Sequence, residues 1–263
     1  MSTGIKKHLL TLGIIVCGII FILSAYVLIS YLLEGRAAEA DFDELRTITE
    51  GDGSEPADEY ADMVGKYREL YARNSDFVGW LRVYGMDIDY PVMQTPGDPE
   101  YYLHRNFDKE YSKAGTFFAS AITDIEKPSD VTIIYGHRMK NGSMFGKLPS
   151  LDESDFYKEH RYIRFDTLTE RRSYEIFCVY RTLVDTGEAS EYRYYDYTDF
   201  ADEADFEYFI SEAKQREYFD TGVDVSYGDE IILLSTCESV RENGRVVVMG
   251  KRIPDSEAPN FSK

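Results

Sequence analysis

Short apolar segments, rich in β-branched and aromatic residues and separated by turn signals, fill most of the chain beyond residue 75. Segments of this length and composition are typical of β-strands. About eight such strands with few helices between them predict a closed or nearly closed β-barrel. The predicted strands are 78–83, 87–93, 115–120, 131–137, 162–167, 172–182, 230–237 and 245–253.

Two segments carry the spacing of a helix instead. In 59–74 the apolar side chains recur every three or four residues, which predicts a helix packed on the domain before the first strand. In 199–219 they follow the same spacing opposite a charged face, which predicts an amphipathic helix inserted before strand 230–237. The apolar positions are Met63, Tyr67, Leu70 and Tyr71 in the first segment, and Phe206, Phe209, Ile210 and Ala213 in the second.

The N-terminal part of the chain has a different pattern, because 9–33 is uninterrupted by any charge. Its length suffices for one transmembrane helix. A cleaved signal peptide is the alternative, but its apolar core usually runs only about 7 to 15 residues, so a retained anchor is favoured. Lys6 and Lys7 precede the segment, and the positive-inside rule therefore puts the N-terminus in the cytoplasm and the rest outside the cell.

These patterns divide the chain into five parts. Residues 1–8 form a cytoplasmic N-terminus and 9–33 the single membrane span. Residues 34–58 are acidic and punctuated by Gly and Pro, which indicates a partly helical stalk. The predicted catalytic domain then covers 59–253, and 254–263 form a C-terminal tail.

Charge and residue inventory exclude several classes of function. The formal net charge of -19 argues against nucleic acid or anionic lipid as the main partner, since both require a basic face. The extracellular histidines, His104, His137 and His160, form no His-x-x-x-His pair, and the chain has no Cys-x-x-Cys. We therefore expect no metal and no other cofactor.

Cysteines are few, and each has a different setting. Cys17 lies within the anchor, Cys178 within a strand-like run, and Cys237 at the end of the strand "IILLSTC". One extracellular disulfide between the last two is the usual structural interpretation in an oxidising compartment. The alternative is that Cys178 is a small buried hydrophobic residue and Cys237 a reachable thiol. We expect the second arrangement.

A histidine and an arginine occupy comparable strand ends. His137 closes "VTIIYGH", and Arg245 opens the strand that follows Cys237. If these last two strands form a hairpin, the guanidinium lies beside the thiol. Nucleophilic catalysis needs such a thiolate, a proton-transfer partner and an oxyanion donor. Each residue also has an ordinary interpretation as a surface side chain, and Arg241 competes with Arg245 for the same role. A thiolate needs local positive charge, so we expect this groove to be an exception in an acidic domain.

Several segments together resemble the class B sortases. "LLSTC" is similar to the active-site strand of that family, 132–148 to its histidine segment and "RVVVMGKRI" to its arginine strand. Residues 76–94, then "YYLHRNF" and "GTFF", are similar to its first strands. The helix before the first strand and the long insertion before the cysteine strand favour class B over the smaller class A pattern. The resemblance covers roughly 59–253.

The resemblance implies the eight-stranded sortase barrel and transpeptidation of cell-wall sorting signals. His137, Cys237 and Arg245 match the family's catalytic positions, and the backbone N–H of Glu238 matches its second oxyanion donor. By the family's mechanism, the thiol attacks the carbonyl of the threonine in a sorting motif of a secreted protein. A thioacyl enzyme then passes the protein to an amine of peptidoglycan or of its lipid-linked precursor.

Substrate-binding positions also follow from the resemblance. Leu103 matches an apolar groove residue, Tyr195 a groove tyrosine, and Ser235 a polar residue two before the nucleophile. Asp196 departs from the better-known class B pattern, which has an apolar residue beside that tyrosine. Three alternatives stay open at this point: a surface cysteine peptidase that only hydrolyses, a pilus-polymerising sortase, and a non-catalytic surface module whose tyrosines serve recognition.

Overall fold

The computed structural model describes residues 3–50, 63–184, 186–187, 192–237 and 243–260. The chain divides into two compact units, Met1–Asp41 and Phe42–Lys263. Of Cys237, only the backbone is described.

The second unit is an eight-stranded closed barrel, as the strand pattern predicts. Its strand order is β1-β2-β3-β4-β7-β8-β6-β5. The β2–β3 and β4–β7 pairs are parallel and all other neighbouring pairs are antiparallel. The strands are β1 Phe77–Val83, β2 Ile88–Met93, β3 Phe117–Ala119, β4 Val131–Tyr135, β5 Tyr162–Thr167, β6 Arg171–Leu183, β7 Ile231–Cys237 and β8 Gly244–Ile253.

Four α-helices accompany the strands within the described ranges. They are α1 Thr3–Glu50, α2 Met63–Arg73, α3 Ser154–His160 and α4 Glu203–Lys214. The predicted helix before β1 and the predicted insertion before β7 are therefore both present, as α2 and α4. Short 3-10 helices at Tyr101–His104 and Tyr194–Asp196 become important at the candidate site.

Helix α1 contains the apolar segment. The part Thr11–Thr49 includes an 18-residue window of mean hydropathy 2.8, no residue of which is buried. By length and composition, this helix is able to cross a membrane.

The end of α1, from Phe42 onward, belongs to the barrel unit. Phe42 and Leu45 are 2% and 1% exposed. The Phe42 ring contacts Tyr90 of β2 edge-on, with 4.9 Å between centroids, and Arg46 Nε donates to the Asp89 carbonyl at 2.9 Å. Part of the predicted stalk thus forms a helix that packs on β2, because two apolar side chains at i and i+3 share one helical face.

Helix α4 covers the face of the barrel behind the candidate site. Asp202 caps its N-terminus by accepting a hydrogen bond from the Asp205 amide at 3.0 Å. Its side chains Phe206, Phe209 and Ala213 are buried in one cluster with residues of β4, β7, β6 and β8. The inserted helix therefore stabilises the strands that end at the site.

Helix α2 is fixed to the opposite side of the barrel through a buried carboxylate. The ring of Tyr67 stacks on Trp80 of β1 at 6.3 Å, and its hydroxyl donates to Asp166 at 2.8 Å. Asp166, which is fully buried on β5, also accepts from Arg82 at 3.1 Å. A buried carboxylate needs several such donors to offset its lost hydration.

Removal of the Tyr67 hydroxyl tests this connection. We expect Tyr67→Phe to lower the free energy of unfolding by about 1–3 kcal/mol, because Asp166 loses a charge-assisted hydrogen bond in a buried setting. Tyr71→Phe is the matched control on the same helix, since Tyr71 is 47% exposed, and it should change stability by less than about 0.5 kcal/mol. Equal effects of the two substitutions in denaturant titrations would contradict the assignment.

Candidate active site

The register of three strands brings the predicted catalytic positions to one edge of the barrel. Strands β4 and β7 run parallel with Tyr135 opposite Ser235, so His137 and Cys237 each lie two residues beyond this pair. Strand β8 is antiparallel to β7, and Arg245 is directly opposite Cys237. The three backbone positions predicted from the sequence are therefore neighbours.

Gly136 allows the chain to leave β4 close to the barrel interior. Its amide donates to the Ser235 carbonyl at 3.2 Å, which extends the β4–β7 pairing by one residue. A Cβ at this position would collide with the rings of Phe117 and Phe145, which stack 4.0 Å apart and are fully buried. The absence of a side chain at 136 thus sets where His137 begins.

The His137 ring is held by a backbone carbonyl. Its Nε2 lies 2.7 Å from the carbonyl oxygen of Leu103, in the first of the two 3-10 helices. A carbonyl only accepts hydrogen bonds, so Nε2 carries the proton and Nδ1 is the basic nitrogen of the neutral ring. Gly115, at φ +61°, lies directly under this turn, where a Cβ would collide with the same carbonyl.

Burial lowers the pKa of His137 below its ordinary value of 6.5. The Leu103 carbonyl raises the pKa of His137 because it stabilises the imidazolium. Repulsion from the neighbouring His104 lowers this pKa further. The net shift is downward, so the neutral imidazole predominates at pH 7. His137 therefore rests in the form that accepts a proton at Nδ1.

The cysteines have separate settings. Cys178 is a free and fully buried thiol on β6, and burial, aided by Glu217, raises its pKa to about 12. It therefore stays a neutral thiol at physiological pH, as the sequence predicts. Cys237 ends β7, at the edge of the barrel that also carries His137 and Arg245.

Arg245 interacts with a tyrosine of the neighbouring edge. Its Nη1 donates to the Gly244 carbonyl at 3.0 Å, and its charge favours ionisation of Tyr135. Burial outweighs that influence, and the pKa of Tyr135 is raised. Arg245 is thus half-buried, and its charge reaches Tyr135 at the end of β4.

Ser235 is connected to the segment that carries the predicted groove tyrosine. Its hydroxyl lies 2.7 Å from that of Tyr194, and both side chains are 1% exposed. Tyr195 is half-buried and packs between Tyr194, at 5.4 Å, and the guanidinium of Arg193, at 5.0 Å. Ser235 therefore contacts the buried Tyr194, and the half-buried Tyr195 is the more exposed of the two adjacent tyrosines.

Two residues near the site are missing from the sequence prediction. Tyr194 lies next to the predicted Tyr195, but no sequence pattern distinguishes which of two adjacent tyrosines is buried. His104 has its ring centroid 5.2 Å from that of His137. His104 follows Leu103 directly in "YYLHRNF", but by residue type alone it is a candidate only as a metal ligand. The predicted oxyanion donor Glu238 and the competing Arg241 lie outside the described residues.

At one edge of the barrel, a cysteine, a histidine and an arginine offer a nucleophile, a proton-transfer group and an oxyanion donor for acyl transfer, and comparisons with known proteins agree. The Sortase domain family matches residues 81–253. Sortase B of Listeria monocytogenes is 33% identical over 92% of this chain and 96% of its own length.

Solved structures give the same result. Sortase B from B. anthracis in complex with AAEK1 superposes with a TM-score of 0.73, at 31% identity, over 84% of this chain and 99% of that one. The Staphylococcus aureus sortase B–substrate complex superposes with a TM-score of 0.74, at 27% identity, over 84% and 98% of the two chains.

The chain belongs to the sortase family, in its class B. It is therefore a cysteine transpeptidase with a protein-sorting function, and sortases are enzymes of the cell envelope. Class B is not pilus-type, so the pilus-polymerising alternative is wrong. Family membership also argues against a non-catalytic surface module.

Substitution of Gly136 tests the close approach before His137. We expect Gly136→Ala to destabilise the fold by about 1–3 kcal/mol, because the added methyl group overpacks against two buried rings. Transpeptidation should fall with it, since His137 is displaced. Gly97→Ala is the control, because a Cβ there meets nothing within 4 Å. A Gly136→Ala variant as stable and active as the control would contradict this account.

The protonation state of His137 can be measured directly. We expect its ring signals, followed by NMR in a protein labelled at histidine, to titrate with a midpoint below 6.5, because burial disfavours the imidazolium. The unfolded state then binds more protons below pH 6.5, so this group's contribution to stability is lost as the pH falls from there through the folded pKa. A midpoint at or above that of the protein in urea would contradict the shift.

Proposed function

We propose that Cys237, His137 and Arg245 carry out the transpeptidation. The observation that carries this proposal is the strand register, in which the ends of β4 and β7 and the start of β8 share one edge. Parallel neighbouring strands end at the same edge of a sheet, and an antiparallel neighbour begins there, which supports this assignment.

In the first half-reaction, neutral His137 takes the proton of the Cys237 thiol at Nδ1, and the resulting thiolate attacks the carbonyl carbon of the threonine in a sorting motif. The carbon–sulfur bond forms, and the carbonyl electrons move onto the oxygen, where Arg245 and the backbone N–H of Glu238 donate hydrogen bonds. The peptide C–N bond then breaks. The departing amine takes a proton from His137 Nδ1, and a thioacyl enzyme remains.

In the second half-reaction, an amine of peptidoglycan or of its lipid-linked precursor attacks the thioester. His137, now neutral, accepts a proton from this amine at Nδ1, the nitrogen that the Leu103 contact leaves free. The C–S bond breaks and returns the electron pair to the Cys237 sulfur, which takes its proton back from His137 Nδ1. Protons therefore balance over the two halves, and one histidine serves as acid and then as base.

The sorting signal occupies a groove that includes Leu103, Tyr195 and Ser235. The Staphylococcus aureus sortase B–substrate complex supports a peptide substrate for this barrel. Ser235 acts through Tyr194, because its hydroxyl is buried against that of the tyrosine. Asp196 pairs with Arg193 at 2.6 Å, so the groove rim here carries an ion pair where the better-known class B pattern has an apolar side chain.

Residues 9–33 anchor the enzyme, with the N-terminus in the cytoplasm and the catalytic domain outside. The apolar helix α1 and the two lysines before its span support this topology. Anchoring is advantageous because the enzyme, the substrate's C-terminal tail and a lipid-linked acceptor then meet at one membrane surface. The partners are therefore secreted proteins that bear sorting signals.

The test incubates the full-length chain in detergent with a panel of sorting-signal peptides and candidate amines, and identifies the products by mass. We expect Cys237→Ala to reduce turnover by at least about 10⁴-fold, because no nucleophile remains. Cys178→Ala should stay active. Arg245→Lys should lose about 10²–10³-fold, since the forked donor is gone, while Arg252→Lys on the same strand should not.

Product analysis separates transpeptidation from hydrolysis. A ligated product that grows with amine concentration supports the proposal, whereas hydrolysis alone at saturating amine would leave the peptidase alternative. Normal turnover by Cys237→Ala, or a larger loss for Cys178→Ala, would overturn the assignment of the nucleophile.

A further inference from the structure

One imidazole near the candidate site has no role in the mechanism above. The ring of His104 lies 5.2 Å from that of His137, tilted by 31°. Its other neighbour is Tyr111, at 6.5 Å and 30°, a residue that is 74% exposed. The three rings thus lie in succession from the exposed Tyr111 to His137.

His104 and the carbonyl that orients His137 come from the same turn. Leu103 supplies the acceptor for Nε2, and His104 follows it at the end of the 3-10 helix. The turn is braced on both sides, because the Ser112 amide donates to the His104 carbonyl at 3.0 Å and the Thr116 amide to the Tyr102 carbonyl at 3.0 Å. One hydrogen-bonded turn therefore supplies both the acceptor for His137 Nε2 and the ring beside the His137 imidazole.

We propose that His104 is a positioning residue for His137: its ring packs beside the catalytic imidazole, on the turn that holds Nε2, and disfavours a positive charge there. The proposal deepens the proposed function, since it rests on His137 being the acid and base. Two cationic imidazoles this close repel one another, which is consistent with the lowered pKa of His137.

The other titratable groups around His104 and His137 are the same in all the variants that test the proposal. Arg245 on β8 and Tyr135 on β4 act on each other at the neighbouring strand ends. Tyr111 lies beyond His104, and the thiol of Cys237 would raise the proton affinity of His137 when ionised. These groups are common to all the proteins compared, and a Cys237→Ala background removes the last of them.

The experiment compares three substitutions in the full-length chain in detergent. His104→Phe keeps a ring and removes the charge, His104→Ala removes both, and His104→Lys keeps a charge without a ring. His160→Phe is the matched control, because His160 also stacks on an aromatic ring, that of Phe156 at 3.9 Å, but on α3.

Titration of His137 by NMR, in the Cys237→Ala background, gives the first result. We expect the midpoint to move to higher pH in His104→Phe and His104→Ala, to stay low in His104→Lys, and to be unchanged in His160→Phe. This measurement needs no turnover, so it stands even if the proposed function fails.

Transpeptidation with Cys237 intact gives the second result. We expect His104→Phe to keep kcat within about threefold at its optimum, because the ring support remains, with the acid limb moved to higher pH. His104→Ala should lose about tenfold or more in kcat, since His137 is no longer held in position. An unmoved His137 midpoint in both uncharged variants, or full kcat in His104→Ala, would overturn the proposal.

Discussion

The parallel pairing of β4 with β7 is the constraint on which the site depends. Parallel neighbours end at the same edge, so Gly136 and Ser235 are joined there by a hydrogen bond, and the next residues in each chain direction are His137 and Thr236. A shift of one residue would reverse the faces of a whole strand, which the buried contacts of α4 with β4 and β7 do not allow. The inserted helix, remote from the chemistry, therefore fixes the register that the chemistry needs.

A second constraint acts through the 3-10 turn at Tyr101–His104. It supplies the carbonyl that fixes the tautomer of His137, and Gly115 allows the chain to pass under that carbonyl. The two constraints differ in kind, because the first sets where the backbone of His137 lies and the second sets which nitrogen is basic. Without this turn, a histidine at the end of β4 would lie at the same place, but either ring nitrogen could carry the proton of the neutral form.

Periodic features were predictable from the sequence, and single long-range contacts were not. All eight strands and the helices α2 and α4 follow from local spacing, since an alternating or helical pattern repeats over several residues. The bond between Tyr194 and Ser235 joins a loop to a strand across the fold and leaves no periodic signal. Phe42 and Leu45 lie in an acidic segment with only a weak apolar pattern, so the sequence did not predict that the end of α1 packs on the barrel. The resemblance to a family, rather than any pattern, singled out Arg245 over Arg241.

The electrostatics of His137 follow from its immediate surroundings and not from the charge of the molecule. A net charge of -19 would, if it acted over long distances, favour the imidazolium. Exposed charges are screened over about 8 Å at physiological ionic strength, however, whereas burial and the neighbouring His104 act at contact. The shift of the His137 pKa is downward, so the local environment prevails. An acidic surface and a site that disfavours positive charge on its histidine are therefore compatible.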